Sequence, residues 1–288
     1  MMKKRNPFLI SIITDEISQD PSVAMDLAVE HGLDGIELRS AWDTPVELLP
    51  REKQQELLDA AKTRGLKISA IASSFLKEDW SKDDREKFDR IVDACRFFEC
   101  STFRGFSFWS SEDYTDKAFA AYLKKYDALL AEAGLWLVLE NDPSVNLKTG
   151  FDLARFFGNY SFRRIGILWD PGNDIYTCGG AVTPYPDEYR VVRPFVRHVH
   201  VKDAVSANGE GVGVALGDGW MDFEGQLRAL NSDGYTGWVT LEPHFRLDGQ
   251  IDEELLKRPG GAAFSEGGYL PSKISMERLN ELLQKLFG

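Results

Sequence analysis

Short apolar segments alternate with longer amphipathic segments along most of the chain. The short segments are rich in β-branched residues and end at polar loops, which is typical of strands buried on both faces of a parallel sheet. Strands are predicted at residues 8–14, 34–39, 67–72, 101–106, 135–140, 165–170, 196–202 and 237–242. Helices are predicted at residues 21–31, 51–64, 82–98, 114–132, 150–158, 185–193, 222–232 and 274–287.

Capping residues mark several of these boundaries. Asp20 and Pro21 are suited to be the N-cap and first residue of the first helix, and Gly32 is suited to end it. Gly65 and Gly134 each stand between a predicted helix and the next predicted strand. The order of strand followed by helix therefore repeats through the chain.

Eight strand–helix repeats without a proline- or serine-rich linker predict one (β/α)8 TIM barrel, a single domain over residues 1–288. The alternative is an open doubly wound sheet, which usually carries a glycine-rich turn after its first strand. The turn here, TDEISQDP, contains no glycine and favours the barrel. In a barrel the loops after the strands form the active-site mouth. The long loop 243–272 is therefore expected either to cover that mouth or to be a disordered insertion.

Composition and charge restrict the classes of molecule that this protein is expected to bind and the compartment in which it is expected to occur. The 288 residues include 34 Lys+Arg against 46 Asp+Glu, a formal net charge of -12, which argues against nucleic acid because phosphate binding needs basic residues. No stretch reaches the roughly 20 apolar residues of a membrane helix, and the apolar run at 8–13 is short for a signal peptide. Three cysteines without metal-binding spacing favour a reducing compartment. A cytoplasmic protein is predicted, and both a monomer and a homo-oligomer remain open.

Charged and histidine side chains stand at the ends of the late strands. Side chains alternate between the two faces of a strand, so residues between helix-facing leucines and valines point at the barrel axis. The residues that this rule turns to the axis, or that end a neighbouring strand, are Glu140, Asp170, His198, His200, Lys202 and Glu242. Four neighbouring strands are thus expected to direct carboxylates and imidazoles at one point.

Glu140, Asp170, His200 and Glu242 form a donor set with more oxygen than nitrogen. Such a set suits Mn²⁺ or Mg²⁺ best, and Zn²⁺ or Co²⁺ are alternatives. A single strand-end glutamate is usually a cap or a salt-bridge partner, but four matched placements on consecutive strands favour a binding site. The sequence therefore predicts one divalent metal ion.

Six segments of the chain carry a recognisable pattern: GLDGIELR at 32–39, LVLEN at 137–141, LWDPGN at 168–173, HVHVKD at 198–203, LGDG at 216–219 and GYTGWVTLEPH at 234–244. These segments resemble those of the sugar-phosphate isomerase/epimerase family, within the xylose-isomerase-like TIM-barrel superfamily. The resemblance implies a metal ion on the four residues named above, with His200 as the ligand. It implies that His198 lies behind the ligands or faces the substrate. Many members carry a substrate-contacting histidine where this chain has Asn173, which can bind a hydroxyl but carries no charge.

The expected chemistry is proton removal from carbon next to a carbonyl. A free carboxylate is too weak a base by on the order of ten pKa units, about 14 kcal/mol, and a divalent ion offsets much of that gap by stabilising the enediolate. Two carboxylates then allow one to remove the proton and the other to return it. Glu140 and Glu242 fit these roles and match the paired glutamates of family epimerases, and Lys202 is a third catalytic candidate. The predicted function is a metal-dependent isomerase or epimerase of a small polyhydroxylated sugar or sugar phosphate.

Other residues are candidates for substrate binding, together with Asn173 and His198. Glu37 and Arg39 end the second strand and Arg104 lies on the fourth, where they would bind hydroxyls or a carboxylate, or form an ion-pair layer inside the barrel. Trp109 is suited to stack on a sugar face.

Three alternative functions share parts of this pattern. A metal-dependent dehydratase of a keto-inositol or a dehydroshikimate-like acid shares the first proton abstraction and is the main alternative. A zinc-dependent apurinic endonuclease of this superfamily needs more histidine than the four that this acidic chain contains. A non-catalytic barrel would have little reason to keep all four ligand types.

Overall fold

The computed structural model describes residues 6–80, 85–207 and 209–288. Its central sheet has eight parallel strands: β1 (Leu9–Ile12), β2 (Gly35–Leu38), β3 (Lys67–Phe75), β4 (Thr102–Gly105), β5 (Trp136–Glu140), β6 (Ile165–Trp169), β7 (Val196–Val201) and β8 (Trp238–Leu241). Each strand from β2 to β7 pairs with the next strand in the chain, and β8 pairs with β1. A parallel bridge between Ile13 and Glu37 links the end of β1 to β2. The predicted (β/α)8 barrel is therefore confirmed.

Helices surround the sheet. They are α1 (Pro21–Glu30), α2 (Arg51–Thr63), α3 (Arg85–Phe97), α4 (Asp116–Ala133), α5 (Gly150–Asn159), α6 (Pro171–Cys178), α7 (Tyr189–Val192), α8 (Phe223–Ser232), α9 (Glu253–Lys257), α10 (Gly261–Ser265) and α11 (Tyr269–Phe287). The predicted start of the third helix, residues 82–84, lies outside the described residues. Within the described parts of the chain, the helices are too short or too polar to cross a membrane.

Two helical predictions differ from the structure. Helix α6 was not predicted, although Asp170 caps it and Pro171 is its first residue. The helix predicted at 185–193 is shorter, because Pro184–Glu188 forms a wide helical turn before α7. Short 3-10 turns at Thr14–Glu16, Val46–Leu48 and Arg193–Phe195 complete the helical structure in the described residues.

Side chains along the barrel strands divide between two environments. Leu139, Val199 and Leu241 are buried in the hydrophobic core that also contains residues of the surrounding helices. Polar residues meet on the axial side, where the hydroxyl groups of Ser11 and Thr240 lie 2.7 Å apart. The alternation predicted from the sequence therefore turns apolar residues towards the helices and polar residues towards the axis.

Two short antiparallel additions extend the sheet's carboxyl end. The first pairs Ser40–Ala41 with Thr44–Pro45, and the second is a hairpin of Asp203–Ala207 and Glu210–Val214. Gly213 in this hairpin lies so close to the carbonyl of His244 that a Cβ atom there would be 1.7 Å from the oxygen. Glycine therefore allows the hairpin to pack against the segment that follows β8.

The segment 243–272 contains α9, α10 and the start of α11, and it packs against the first strand–helix loop. The Ser265 hydroxyl donates a hydrogen bond to the carbonyl of Asp15 at 2.7 Å. Phe264 is fully buried, and the guanidinium of Arg39 lies 4.5 Å from the centre of its ring. The segment thus reaches from β8 back to the loops after β1 and β2.

Candidate metal centre and active site

Glu140, Asp170, His200 and Glu242 converge at the carboxyl end of the barrel. They lie at or near the ends of β5, β6, β7 and β8, and their ligand atoms are all within 4.8 Å of one another. Nδ1 of His200 is 3.6 Å from Oε1 of Glu140 and 3.5 Å from Oε2 of Glu242. All four side chains are buried. The structure therefore brings together the four residues predicted as metal ligands.

Two buried atoms of this cluster test whether it fits a cation. Nδ1 of His200 and Oδ2 of Asp170 have no hydrogen-bond partner among the described residues, and such buried polar atoms are rare in folded proteins. Oδ2 of Asp170 is also 2.6 Å from the ammonium of Lys202, with which it forms an ion pair. Three carboxylates and one imidazole are donors that Mn²⁺ and Mg²⁺ accept. The four residues fit a divalent metal ion.

The two carboxylate oxygens of Asp170 have different roles: Oδ1 caps a helix, and Oδ2 faces the candidate ligands. Its Oδ1 accepts hydrogen bonds from the backbone N–H groups of Gly172 and Asn173, at 3.0 and 3.3 Å, and so caps α6. Pro171 gives up no hydrogen bond as the first residue of that helix. The cap holds the side chain in place and leaves Oδ2 directed at the cluster.

Glu37 supports His200 from inside the barrel. Nε2 of His200 donates to Oε1 of Glu37 at 3.1 Å, and Nε2 of His198 lies 2.7 Å from Oε2 of the same carboxylate. Burial alone would raise the pKa of Glu37, but the two histidines outweigh burial and hold it well below its ordinary value. With Nε2 used in this way, Nδ1 of His200 is the ring nitrogen that faces the other ligands.

Glu242 is surrounded by cationic groups. Its Oε2 accepts a 2.6 Å hydrogen bond from Lys202, and its Oε1 contacts Arg39, Arg104 and His244 at 3.2, 3.4 and 3.4 Å. Burial would raise the pKa of Glu242, but the charges of Lys202 and His244 outweigh it and hold the pKa well below its ordinary value. Glu242 is therefore ionised at neutral pH.

Glu140 is ionised for a similar reason. Its Oε2 accepts a hydrogen bond from Arg104 at 3.1 Å, and its Oε1 accepts one from Nδ2 of Asn173 at 3.2 Å. Burial opposes ionisation, but Arg104 outweighs it and lowers the pKa of Glu140 to about 2. Burial would also lower the pKa of Lys202, yet Asp170 and Glu242 raise it well above its ordinary value. Lys202 is therefore an ammonium group that can donate a proton but cannot serve as a base.

A cavity of about 430 Å³ opens onto this cluster. Glu140, Glu242, Arg104, Asn173 and Lys202 line it. Two of the four candidate ligands, Glu140 and Glu242, therefore share one cavity with three further candidates from the sequence, whereas Asp170 and His200 lie behind its wall.

The other predicted site residues lie elsewhere. Arg39 and Trp109 line a second cavity of about 500 Å³, and Arg104 lines both cavities. Glu37 and His198 are fully buried within the barrel and, in the parts of the chain that the structure describes, line neither cavity. Their position behind His200 is one of the two alternatives that the resemblance implied for His198. The pairing of Glu37 with both histidines corresponds to the ion-pair layer, which was one of the two expectations for that residue.

Comparison with known proteins decides the family. The family model described as xylose isomerase-like TIM barrel matches residues 25–259. The chain belongs to this family. Its solved relatives include a D-allulose 3-epimerase from Methylomonas sp., with a TM-score of 0.69, 17% identity and coverage of 97% of this chain and 99% of that one. A xylose isomerase-like TIM-barrel protein from Mycobacterium smegmatis, solved in complex with magnesium, has a TM-score of 0.70, 15% identity and 98% coverage of both chains.

A curated relative is similar over a shorter region. The inosose dehydratase of Geobacillus thermodenitrificans is 25% identical over 138 residues, which are 42% of this chain and 44% of that enzyme. The match to this curated relative therefore spans less than half of either chain. Xylose isomerase-like barrels of both the epimerase and the dehydratase type are thus similar to this protein.

Two residues near the site of this xylose isomerase-like barrel are absent from the sequence predictions. Asn141 joins β5 to β6, because its Nδ2 donates to the carbonyl of Asp170 at 2.7 Å and its Oδ1 accepts from the N–H of Asp170 at 3.0 Å. The sequence contained a signal for this role, because Asn141 directly follows the strand-end residue Glu140 in LVLEN. Tyr176 lines the cavity of the metal-ligand cluster. It was missed because α6, which carries it, was not predicted.

Proposed function

We propose that this protein is a divalent-metal-dependent isomerase or epimerase that removes a proton from carbon next to the carbonyl of a small polyhydroxylated sugar or sugar phosphate. The observation that carries the proposal is the pair Glu140 and Glu242. Both are buried, ionised carboxylates that line one cavity, and both contact Nη1 of Arg104, at 3.1 and 3.4 Å. Reversible proton transfer at carbon requires two groups in one cavity, one that removes the proton and one that returns it.

A metal ion has a defined place in this proposal. Glu140, Asp170, His200 and Glu242 would hold it, and it would supply the Lewis acidity that makes the proton next to a carbonyl acidic enough for a carboxylate to remove. The magnesium complex of the similar Mycobacterium smegmatis barrel supports a divalent ion.

The remaining groups of the cavity have complementary roles. Arg104 keeps Glu140 ionised, and Lys202 and His244 keep Glu242 ionised, so both carboxylates are unprotonated and can accept a proton. Lys202, held as an ammonium group by Asp170 and Glu242, is suited to donate to a substrate oxygen. The amide nitrogen of Asn173 already donates to Glu140 and to the carbonyl of Asn141, so Asn173 offers its amide oxygen to a substrate hydroxyl where a histidine would offer a charge, and we expect a substrate that is neutral at that position.

A dehydratase is the second candidate, because the curated relative named above is an inosose dehydratase. Its reaction begins with the same proton abstraction, and then a hydroxyl group leaves with a proton from an acid. Lys202, Tyr176 and His244 line the cavity and are the proton-bearing groups that could supply that proton. The two candidates therefore differ only after the first step.

The test is hydrogen exchange in deuterated water. The protein, supplied with Mn²⁺, is incubated with a panel of ketoses, aldoses and keto-inositols, and products are followed by NMR and mass spectrometry. An isomerase or epimerase gives a product that contains deuterium at one carbon and has lost no water. A dehydratase gives a product lighter by one water molecule. The double variant Glu140→Gln/Glu242→Gln is the control for exchange that the metal or buffer catalyses alone. Absence of exchange above this control for every compound would contradict both candidates.

A further inference from the structure

Residues 250–259 of the segment that follows β8, the strap, form part of the wall of two cavities. Leu256 of the strap lines the cavity of the metal-ligand cluster, and Arg258 lines the second cavity of about 500 Å³. Lys257 and Pro259 line both cavities. The position of the strap therefore determines how far both cavities are open to solvent.

The chain is anchored on both sides of the strap. Before the strap, the guanidinium of Arg246 donates hydrogen bonds to the carbonyls of Phe264 and Glu266, the latter at 2.8 Å. After the strap, the N–H of Gly261 donates to Oγ of Ser40 at 3.2 Å. Because Arg246 joins the chain before the strap to the chain after it, the two ends of the strap lie close together, as the ends of an Ω-loop do.

The strap itself makes few contacts with the barrel. Among the described residues, its hydrogen bonds and ion pairs join strap residues to one another, as Lys257 is joined to Glu253 at 2.8 Å. Ile251 and Leu256 are half-buried, and in the described part of the chain they neither belong to the hydrophobic core nor pack against it. Segments with few buried contacts are displaced at a low cost in free energy.

Glycines in the left-handed region of backbone conformation stand at both ends of the strap. Their φ angles are +87° at Gly249, +136° at Gly260 and +77° at Gly261. A Cβ atom at Gly249 would meet no atom of the described residues within 4 Å, so the backbone angle and not crowding favours glycine there. Glycines at the ends of a segment can absorb the changes in φ and ψ that turn the segment as a unit.

A cation–π contact connects the strap to the barrel. The guanidinium carbon of Arg258 lies 5.5 Å from the centre of the Trp109 ring. Trp109 is held in place, because its backbone N–H donates to the carbonyl of Glu78 at 3.0 Å and it forms an antiparallel bridge with Val145. A contact between an exposed cation and an aromatic ring is weak, so thermal motion can break it and form it again.

We propose that the strap is a lid. It turns about Gly249 and the pair Gly260 and Gly261, admits the substrate to the cavity of the metal-ligand cluster when it opens, and is latched by Arg258 against Trp109. The lid rests on the function proposed above in one respect, which is that this cavity receives the substrate. In the closed position the lid keeps water away from the carbonyl compound while the proton is transferred.

Distances between pairs of nitroxide labels test the lid without a ligand. The labels are attached to introduced cysteines in a Cys178→Ser background, in which the remaining thiols are buried. One pair joins Asp59→Cys on α2 to Glu254→Cys on the strap, and the reference pair joins Asp59→Cys to Glu281→Cys on α11. We expect pulsed EPR to give two populations for the pair that includes the strap and one narrow distance for the reference pair.

The latch is tested in the same labelled protein. Arg258→Ala should raise the population in which the strap is displaced by ~2- to 5-fold, as expected when an exposed cation–π contact is lost. Trp109→Ala should raise this population by a similar factor, and the double variant should raise it no further, because both substitutions remove one contact. Arg228→Ala is the matched control, since this exposed arginine pairs with Glu224 and lines neither cavity.

A single narrow distance between the labels on Asp59→Cys and Glu254→Cys would overturn the proposal. Two populations that Arg258→Ala changes no more than Arg228→Ala does would overturn it as well. Thermal unfolding checks that each variant is folded. Displacement of the strap in a protein that exchanges deuterium into no compound would contradict the proposed reaction and not the lid, whereas exchange by a protein whose strap stays fixed would contradict the lid alone.

Discussion

Oε1 of Glu37 lies 3.1 Å from Nε2 of His200, while Nδ1 of the same ring faces Glu140 and Glu242. A carboxylate that accepts from one ring nitrogen keeps the proton there and leaves the other nitrogen free to bind a cation. Glu37 is fully buried and bound to two histidines, which suits it to position His200 in the proposed metal centre.

Glu37→Gln should therefore weaken metal binding, by ~10- to 100-fold as is typical when the hydrogen-bond partner of a ligand is changed. The measured quantity is the dissociation constant for Mn²⁺, from calorimetry or competition with a chelating dye. Glu188→Gln is a suitable control, because it changes another fully buried glutamate that is not in contact with His200. Equal metal affinity in wild type and Glu37→Gln would show that Glu37 does not position the ligand.

The sequence predicts the convergence of the four candidate ligands better than it predicts the residues that hold them in place. Glu140, Asp170, His200 and Glu242 each stand where an apolar strand ends, so strand periodicity alone places them at one end of the barrel. The contact between Glu37 and His200 joins residues 163 positions apart and depends on closure of the sheet, which no local pattern specifies. Helix α6 was missed because PGNDIYTC has a proline, a glycine and few strong helix formers. Its cap, Asp170, is also the residue that ends a strand, and the strand pattern conceals the start of the helix.

Asp174 and Glu188 form a buried carboxyl pair beside the site. Asn141, which holds Asp170, also donates a hydrogen bond to Oδ2 of Asp174 at 3.0 Å. Burial, followed by the neighbouring charge of Glu188, raises the pKa of Asp174 well above its ordinary value, and burial raises that of Glu188 as well. At least one proton is therefore retained by the folded pair above the pH at which the unfolded chain loses it.

The direction of these pKa shifts predicts how the free energy of unfolding changes with pH. Because the folded pKa is raised, the contribution of the pair is fully present below about pH 4, where the unfolded carboxyls are protonated, and it is lost as the pH rises towards the folded pKa. Asp174→Asn keeps the shape but cannot ionise, so its free energy of unfolding should fall less between pH 4.5 and 8, by about 1 kcal/mol or more. Urea unfolding in the presence of a chelator measures this difference. The exposed Asp59→Asn is the control, and a wild-type pH slope in Asp174→Asn would rule out the raised pKa as the cause.

Tyr176 is expected to act on the substrate. Its hydroxyl is buried, has no hydrogen-bond partner among the described residues, and belongs to a side chain that lines the cavity of the metal-ligand cluster. Burial raises the pKa of this phenol, which keeps it protonated and able to donate. Tyr176→Phe should lower kcat/KM by about tenfold, the value of one hydrogen bond near 1.4 kcal/mol, without lowering the Tm. Tyr126→Phe should instead lower the Tm and leave kcat/KM unchanged, because its hydroxyl lies 3.1 Å from that of Tyr122. A lower Tm with unchanged kcat/KM in Tyr176→Phe would assign this hydroxyl to the fold.

Replacing either Glu140 or Glu242 alone should lower turnover by more than the loss of a metal ligand would explain. Glu140→Gln and Glu242→Gln keep the size of the side chain and one oxygen donor, but the amide cannot accept a proton usefully. Both should weaken metal binding, and at saturating metal each should still lose at least ~10²-fold in turnover, as expected for a positioned acid or base.

Their behaviour in deuterated water should separate the two roles. If one glutamate removes the proton and the other returns it, the variant that retains the first base still exchanges the substrate's proton with solvent and forms no epimer. The other variant neither exchanges the substrate's proton with solvent nor forms the epimer, because the proton is never removed. Substrate deuterium content and product formation are measured in the same sample by NMR. In Glu140→Gln, Lys202 keeps both of its carboxylate partners, Asp170 and Glu242, and is not available as a substitute base. Near-normal turnover of both variants in excess metal would mean that the glutamates are ligands alone and that the base lies elsewhere among the groups that line the cavity.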